Sequence, residues 1–592
     1  MAKPTASSFL LQRLTEWGVK RIYGYPGDGI NGLIGALEAF EDQIEFVQVR
    51  HEEMAAFMAC AHAKFTGETG VCMATSGPGA IHLLNGLYDA KMDHAPVVAI
   101  VGQAATTALG GSYQQEVDLQ TLFGDVSECR ATIANVSATR HVVDRAFRTA
   151  AGTRGVATII FPKDLQEEPY SPPPAKHDTI HSGIGYTRPI VVPEEHDLRR
   201  AAAVLNDASK VAMLVGAGAR LASHELIAVA DRLQACCAKA LLGKDVLPDD
   251  LPWVTGTIGL LGTRPSSDIM RECDALLMVG TNFPYAEFLP KEGHARGVQI
   301  DIDPRNLGLR YATEVNLAGD AAATLGALLP YLLPKDDGSW REHIQANKKE
   351  WRAIDEQRAH IEAAPVNPML YFLSLNERLP SDAILTGDAG TPTNWMARFL
   401  TMRRGNRMSL SGGLATMGSA VPYAIAAKFA FPDRPVISLS GDGAMQMNGI
   451  NELITVYRYW RQWSDPRIIF FVLNNADLNQ VTWEQRILGG SPRNMETQPL
   501  PDYPYAAFGE SLGFLGIRVK RPEEIDDAWQ LALNANRPVV FEAVANAGVA
   551  TLPPHITREE ALHFFKATRK EADAGVIATS IKQVAASIFP RT

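Results

Sequence analysis

The chain has 592 residues, too many for one hydrophobic core, and a prior of about 150 residues per domain divides it into three or four units. Hydrophobic residues make up 46% and charged residues 21%, the balance of an ordinary globular protein rather than a disordered or fibrous one. A formal charge of -10 argues against nucleic acid as the main partner, and no run of 18 apolar residues offers a membrane span.

The N-terminal MAKPTASSFLLQRLTEWG enters an amphipathic helix directly, without the charged-then-apolar segment of an export signal, so a cytoplasmic location is expected. Apolar runs at 21–24, 70–74, 96–101 and 156–161 alternate with helical patterns, which predicts a parallel α/β layer structure. The proline-bearing SPPPAKHDTIHSGIGYTRPIVVPEE then reads as a linker. A second α/β unit follows, with a helix over 194–208, the strand VAMLVGAGAR, a helix from Ser223, and strands at 273–280 and 297–303. Its GAGAR turn has Gly216 and Gly218 but Leu221 where a dinucleotide fingerprint needs a third glycine, so a nicotinamide site is not expected. A charged helical stretch, DDGSWREHIQANKKEWRAIDEQRAHIEA, leads to a third unit laid out like the first. The six cysteines (60, 72, 129, 236, 237 and 273) lack metal-ligand spacing and read as reduced packing residues.

Three stretches carry chemistry. RHEEM at 50–54 opens a helix of small residues; Glu52 there is either a first-turn acid favoured by the helix dipole or a buried functional group. Ala55, Ala56 and Ala59 permit close packing on its face. TSGPGA at 75–80 follows a strand and opens a helix, as an anion site or a tight turn does. Runs at 436–440 and 468–473 flank a helix, so a β-α-β unit brings Asp442 and Asn475 to one sheet edge, where their oxygens suit a small hard cation. Gly441 and Gly443 let the backbone approach an anion; the alternative is an ordinary turn with a capping Asp. His51, His62, His82 and His94 lie near these motifs without metal spacing and read as packing or hydrogen-bonding residues.

YGYPGDGING, VRHEEMAAFMA, ATSGPGAIHLLNGLYDAKMDHAPVVAIVGQ, QQEVDLQTLF, GTIGLLGTRPSSDIM, GTNFPY, GDAGTPTNW, LATMGSAVPYAIAAK and GDG…NN together resemble the thiamine-diphosphate enzymes of the pyruvate oxidase and acetohydroxyacid synthase group, over nearly the whole chain. The middle motifs, with VQIDIDP, resemble most the flavin-containing pyruvate oxidases and pyruvate:quinone dehydrogenases. The resemblance implies an α/β protein of three doubly wound parallel-sheet domains: pyrimidine-binding (1–175), central and FAD-binding-like (192–335), and diphosphate- and magnesium-binding (366–548), with a tail at 549–592. It implies Mg2+ ligands at Asp442, Asn475 and the main-chain oxygen of Asp477. It implies thiamine diphosphate contacts at Pro26, Gly27, Ser76, Ala389, Gly390, Ala415, Met417, Gly441, Gly443 and Ala444. FAD contacts are implied at Gly216, Gly259, Gly262, Thr263, Gly280, Thr281 and Asp301. Glu52 matches the glutamate that hydrogen-bonds the aminopyrimidine ring and promotes loss of the thiazolium C2 proton, Gln115 a glutamine near the reacting carbon, and Glu484 an acid of the oxidase pocket.

The implied reaction is oxidative decarboxylation of a 2-oxo acid, pyruvate by default, with electrons passed through FAD to quinone or dioxygen. The implied assembly is a homodimer or homotetramer whose active sites join two subunits. Two departures stand out. Asn479 and Gln480 occupy positions where oxidases carry Gly and a bulky aromatic, which keeps carboligation or plain decarboxylation open, with a non-catalytic regulator as a minor alternative. The GDG-to-NN interval is several residues longer than in the family, and a surface insertion is expected in YRYWRQWSDPR. Finally, Ile577, Ile581, Val584 and Ile588 form a helical stripe in the tail; it packs on the protein body or makes peripheral membrane contact, although Lys582 is the one basic residue opposite it.

Overall fold

The computed structural model describes residues 3–551, 553–554, 558–571 and 574–588. Three six-stranded sheets, every neighbouring pair parallel, form in succession along the chain. Helices cover both faces of such sheets, so their central strands read as unbroken apolar runs; Val97–Gln103 and Ile468–Asn474 are buried at every position. The edge strand Ser127–Thr132 instead alternates buried with exposed residues, and the strand Arg407–Ser409 has only three residues. Neither produces the apolar run by which a strand is recognised in sequence.

Strand order places the ligand edges. In the first sheet the spatial order is Glu45–Gln48, Arg21–Gly24, Gly70–Ala74, Val97–Gln103, Val156–Pro162, Ser127–Thr132, which is 2-1-3-4-6-5 in chain order. The third sheet repeats that order from Ile384–Gly387 onward. The middle sheet runs Val254–Thr257, Cys236–Lys239, Val211–Val215, Ala275–Val279, Arg296–Asp301, Val315–Ala318, the 3-2-1-4-5-6 order of dinucleotide-binding folds. Where the order reverses, successive loops leave in opposite directions and a crevice opens beyond the carboxyl ends. The three reversals therefore fall beside Gly24 and Ala74, beside Val215 and Val279, and beside Gly387 and Gly441.

The first and third sheets are joined by helix packing. The helix Glu52–Thr66 lies against the helix Ala420–Ala430, and the Ala-rich sequences of both allow close approach. Inside this seam Lys64 Nζ donates to Asp93 Oδ2 at 2.6 Å, to Tyr423 Oη at 2.5 Å and to the Leu410 carbonyl at 3.0 Å, while Tyr423 donates to Asp89 at 2.5 Å. All six cysteines are free and buried, and burial pushes Cys72, Cys236 and Cys273 up to about 12, as packing residues require.

The tail forms the helices Arg558–Glu571 and Ala574–Ile588. Phe564 stacks on Trp483 with 5.9 Å between centroids, and Glu571 pairs with Arg486 at 2.7 Å. The last helix buries Val576, Ser580 and Gln583 against the protein, whereas Ile581 of the expected stripe is 51% exposed; the side chains of Val584 and Ile588 lie outside the described residues. No described helix is long and apolar enough to cross a membrane.

The expected surface insertion is only partly at the surface. The helix Ile450–Tyr459 runs into a short turn, Trp460–Gln462, and the rings of Tyr459 and Trp463 stand edge-on to Phe429 at 5.4 and 5.5 Å. Tyr459 Oη also accepts the Gln48 N–H at 2.9 Å, so the extra residues pack against the first sheet's end. Trp463 is 5% exposed and Tyr457 46%. Trp463→Ala is expected to destabilise the protein by about 3–5 kcal/mol and Tyr457→Ala by less than about 0.5 kcal/mol, as read from thermal and urea denaturation.

Candidate active site

At the third sheet's reversal, Asp442 is buried and its carboxylate gathers the two strand ends. Oδ1 accepts the Gly443 N–H at 2.8 Å, and Oδ2 accepts those of Asn475 at 2.9 Å and Ala476 at 2.6 Å. Burial pushes Asp442 up to about 7, against the pull of these backbone donors. Asn475 Oδ1 accepts the Asp477 N–H at 3.1 Å, and the Asp477 carbonyl accepts the Asn479 N–H at 2.7 Å. Asp442 Oδ1, Asn475 Oδ1 and the Asp477 carbonyl each carry one such bond and so retain a lone pair. A divalent cation of magnesium's type could use that set of hard oxygens, and its charge would hold Asp442 ionised. The Asp477 carboxylate is spent elsewhere, on Arg493, Asn479 and Thr482.

The neighbouring loops complete this edge. Gly390 has φ +131°, and a Cβ on it or on Gly441 would meet Pro392 at 3.7 or 3.8 Å, so Ala389, Gly390 and Gly441 share one wall. Ala444 is buried in the turn that follows Asp442. A Cβ on Gly443 would meet Met417 Sδ at 3.8 Å, which sets Met417 over the same turn. Ala415 adopts φ +54° in the loop that presents Met417. Asp388 fixes that loop by accepting the N–H groups of Gly418 at 2.7 Å and Ala420 at 3.3 Å, and burial raises it to about 6.

At the first sheet's reversal a second cluster forms around Glu52. The Pro26–Gly27 turn packs on Thr75, where a Cβ on Gly27 would lie 2.6 Å from the Thr75 Cβ. Ser76 Oγ donates to Gln115 Oε1 at 3.2 Å, and Gln115 itself has φ +63°. A Cβ on Gly79 would sit 3.1 Å from Glu52 Oε1, so that oxygen faces the space a side chain would fill. Glu52 Oε2 lies 2.9 Å from His82 Nδ1, and the His51 and His82 rings are 4.4 Å apart. Ligand atoms of His51, Glu52 and His82 fall within 4.8 Å of one another, but His51 Nδ1 already accepts the Glu53 N–H and His82 Nδ1 is on Glu52. The trio is thus a hydrogen-bonded group around an acid.

Within one chain, no hydrogen bond or ion pair among the described residues joins Glu52 or Gln115 to the Asp442 cluster. Glu484 stands on the third sheet's side, on the helix Asn479–Leu488, where Gln480 donates to it at 2.9 Å and in turn accepts from Asn394 at 2.8 Å. What ties the Glu52 turn to the third sheet is a set of residues that the sequence reading missed. Glu452 accepts the Arg50 N–H at 2.7 Å, and Glu53 accepts from Asn85 at 2.5 Å and Asn448 at 3.2 Å. Glu53 follows Glu52 directly in a motif the sequence marks, whereas Glu452 and Asn448 lie in an ordinary helical pattern that gives no signal.

In the middle sheet, Gly216 and Gly280 meet at the reversal. Gly216 N donates to the Val279 carbonyl and Gly218 N to the Gly280 carbonyl, both at 3.0 Å, and a Cβ on Gly216 would lie 2.5 Å from that Gly280 oxygen. Asp301 ends the next strand and accepts the Asp303 N–H at 2.9 Å; burial raises its pKa. Thr281 is buried behind Gly280. Gly259, at φ +94°, and Gly262 close a turn around Thr263, whose hydroxyl donates to the Thr255 carbonyl at 2.8 Å. These seven residues lie on one sheet's carboxyl side.

Comparison with known proteins agrees with this division. Residues 4–122 match the N-terminal thiamine pyrophosphate-binding domain model, 198–328 the central domain and 388–543 the C-terminal thiamine pyrophosphate-binding domain of thiamine pyrophosphate enzymes. A Bacillus subtilis protein described as thiamine pyrophosphate-containing, YdaP, is 37% identical over 571 residues, 96% of each chain. Pyruvate oxidase of Lactiplantibacillus plantarum is 31% identical over 98% of this chain and 96% of its own. Acetolactate synthase isozyme 2 large subunit of Escherichia coli is 30% identical over 90% of this chain and 94% of its own.

Glu452 gives this edge a pH dependence. It is fully buried, and burial pushes it up to about 7 from an ordinary 4.5. Its folded pKa lies above its unfolded one, so its contribution to stability is complete below about pH 4.5 and is lost as pH climbs to about 7. Glu452→Gln keeps the acceptor for Arg50 and removes the titration. Its melting temperature relative to the parent is expected to rise between about pH 5 and about pH 8, and an unchanged difference would contradict the assignment.

Proposed function

The chain belongs to the thiamine pyrophosphate enzyme family, and on that premise we propose that it catalyses oxidative decarboxylation of a 2-oxo acid, pyruvate foremost, with thiamine diphosphate, Mg2+ and FAD, passing electrons to quinone or dioxygen. The observation that carries the flavin reading is the 3-2-1-4-5-6 order of the middle sheet, with Gly216 and Gly280 packed backbone to backbone at its reversal. Likeness to a pyruvate oxidase over 98% of the chain supports the oxidative outcome. When bound, thiamine diphosphate supplies a thiazolium carbon that adds to the 2-oxo acid and takes up the electron pair left by departing carbon dioxide.

The chain's own residues have separate tasks in this reading. Asp442, Asn475 and the Asp477 carbonyl hold the cation that neutralises the diphosphate. Met417 and the loop fixed by Asp388 present main-chain groups to the pyrimidine, and the Glu52 carboxyl exchanges a proton with that ring. Gln115 and Ser76 line the reacting side, and Glu484 faces the substrate. Since Glu52 and Asp442 are unlinked within one chain, a second copy is proposed to bring its Glu52 edge to this chain's Asp442 edge, giving a homodimer or homotetramer.

One observation favours a second reading, acetolactate-synthase-like carboligation or plain decarboxylation. Gln480 bridges Asn394 and Glu484, which builds a polar amide wall where the oxidase pattern carries an aromatic ring.

Anaerobic addition of pyruvate to protein loaded with thiamine diphosphate and magnesium is expected to bleach a flavin band. A flavin band that stays oxidised while carbon dioxide or acetolactate appears would establish the second reading, and absence of any flavin band would remove the oxidase. Glu52→Gln is expected to lower kcat by about 10²–10⁴-fold, the range for losing a positioned proton-transfer group.

A further inference from the structure

The carboxyl of Glu52 needs more than burial to serve the proposed role. It sits in the first turn of its helix with a flexible side chain, and one oxygen must stay free and aimed while the other is held. The structure shows that division. Oε2 is 2.9 Å from His82 Nδ1, and Oε1 faces the space left by Gly79. Both partners come from one segment, the helix Pro78–His82, so the glycine that makes room and the imidazole that clamps lie three residues apart.

The hydrogen bonds also fix the tautomers. An ionised carboxylate only accepts, so His82 Nδ1 carries the proton it donates to Glu52. His51 Nδ1 accepts the Glu53 N–H at 3.2 Å, so a neutral His51 is protonated on Nε2. The His51 ring lies 4.4 Å from the His82 ring with 32° between planes and so restricts its rotation, while the His51 Nδ1 bond to the helix backbone anchors His51 itself. The His82 side chain is 43% exposed against 11% for Glu52, so the clamp lies on the solvent side of the acid.

We propose that His82 is the positioning residue for Glu52: its Nδ1–H holds Oε2 so that Oε1 is presented to the cofactor's pyrimidine, with the His51 ring packed against it at a tilt. This rests on the reading of Glu52 given above. A further consequence follows from side-chain shape. Asn places its amide nitrogen where His places Nδ1, whereas Gln reaches the position of Nε2. Asn therefore preserves the clamp, and Gln and Leu do not.

The test uses the full-length protein with His82→Asn, His82→Gln, His82→Leu and Glu52→Gln. Two quantities are read: the dissociation constant for thiamine diphosphate, from quenching of tryptophan fluorescence, and the rate of hydrogen–deuterium exchange at C2 of the bound cofactor, from acid-quenched NMR samples. His82→Gln and His82→Leu are expected to slow exchange by about 10–100-fold, the worth of a hydrogen bond to a charged group, and to weaken cofactor binding, while His82→Asn stays within about threefold of the parent in both. Equal behaviour of the Asn and Gln variants would overturn the proposal. So would parental exchange in all three His82 variants while Glu52→Gln is slow, and a fall in turnover with exchange intact would make His82 a substrate-side group instead. Parental exchange in Glu52→Gln would overturn the underlying reading of Glu52 itself.

Discussion

A buried ammonium holds the molecule's two thiamine pyrophosphate-binding units in one arrangement. Lys64, on the helix Glu52–Thr66, pairs with Asp89 and Asp93 of its own unit and reaches Tyr423 and the Leu410 carbonyl on the third sheet's side, in a buried seam. Burial opposes its charge most strongly, yet the two carboxylates outweigh that and hold Lys64 above its ordinary pKa. Such a group adds little net stability, because desolvation offsets the attraction, but removing one partner strands a charge in the interior. Its worth is in register. Asp93 also accepts the N–H groups of Gly412 and Gly413, at 2.8 and 2.5 Å, so the cluster that docks the units also fixes the root of the loop carrying Ala415 and Met417.

The three strand-order reversals then place the chemistry without further instruction. Each opens a crevice at the carboxyl ends, and each has a glycine in close contact with a neighbour: Gly27 with the Thr75 side chain, Gly216 with the Gly280 backbone, Gly443 with the side chains of Leu478 and Met417. Side chains with polar work stand at the strand ends, Asp442 directly after Gly441 and Asp301 as the last residue of a neighbouring strand. The fold thus supplies the positions, and the residue types decide what each edge can hold.

Central strands and the GDG…NN pairing were legible because burial on both faces writes continuous apolar runs, and because an acid and an amide at adjacent strand ends have few other uses. Glu52 and the GDG glycines stood out in the sequence, and the family resemblance added a role for Glu52 and the position of Gln115. Other features were not legible for identifiable reasons. The strand Ser127–Thr132 lies on an edge and alternates. Trp463 belongs to the stretch expected as a surface insertion, but its ring packs on Phe429 of the helix Ala420–Ala430. His82 carries no spacing signal toward Glu52, because thirty residues of chain separate them and only the close packing of two helices brings them together. In the tail's last helix the described buried side chains are Val576, Ser580 and Gln583, two of them polar, while Ile581 of the expected stripe is exposed.

Three buried acids around the third sheet show how geometry separates roles that sequence cannot. Asp388, Asp442 and Glu452 are each raised, to about 6, 7 and 7, with burial as the leading cause and backbone N–H groups opposing it. Asp388 uses both oxygens on the loop at 418–420, and Glu452 accepts the backbone of the Glu52 turn. Asp388 thus braces that loop, and Glu452 braces the Glu52 turn through Oε1. Asp442 differs in its setting: it accepts the N–H groups of Asn475 and Ala476, in the segment whose Asn475 Oδ1 and Asp477 carbonyl each carry one hydrogen bond. A raised pKa is therefore common to brace and site. The distinguishing property is the company of other oxygens with spare acceptor capacity, which the Asp442 turn has in Asn475 Oδ1 and the Asp477 carbonyl.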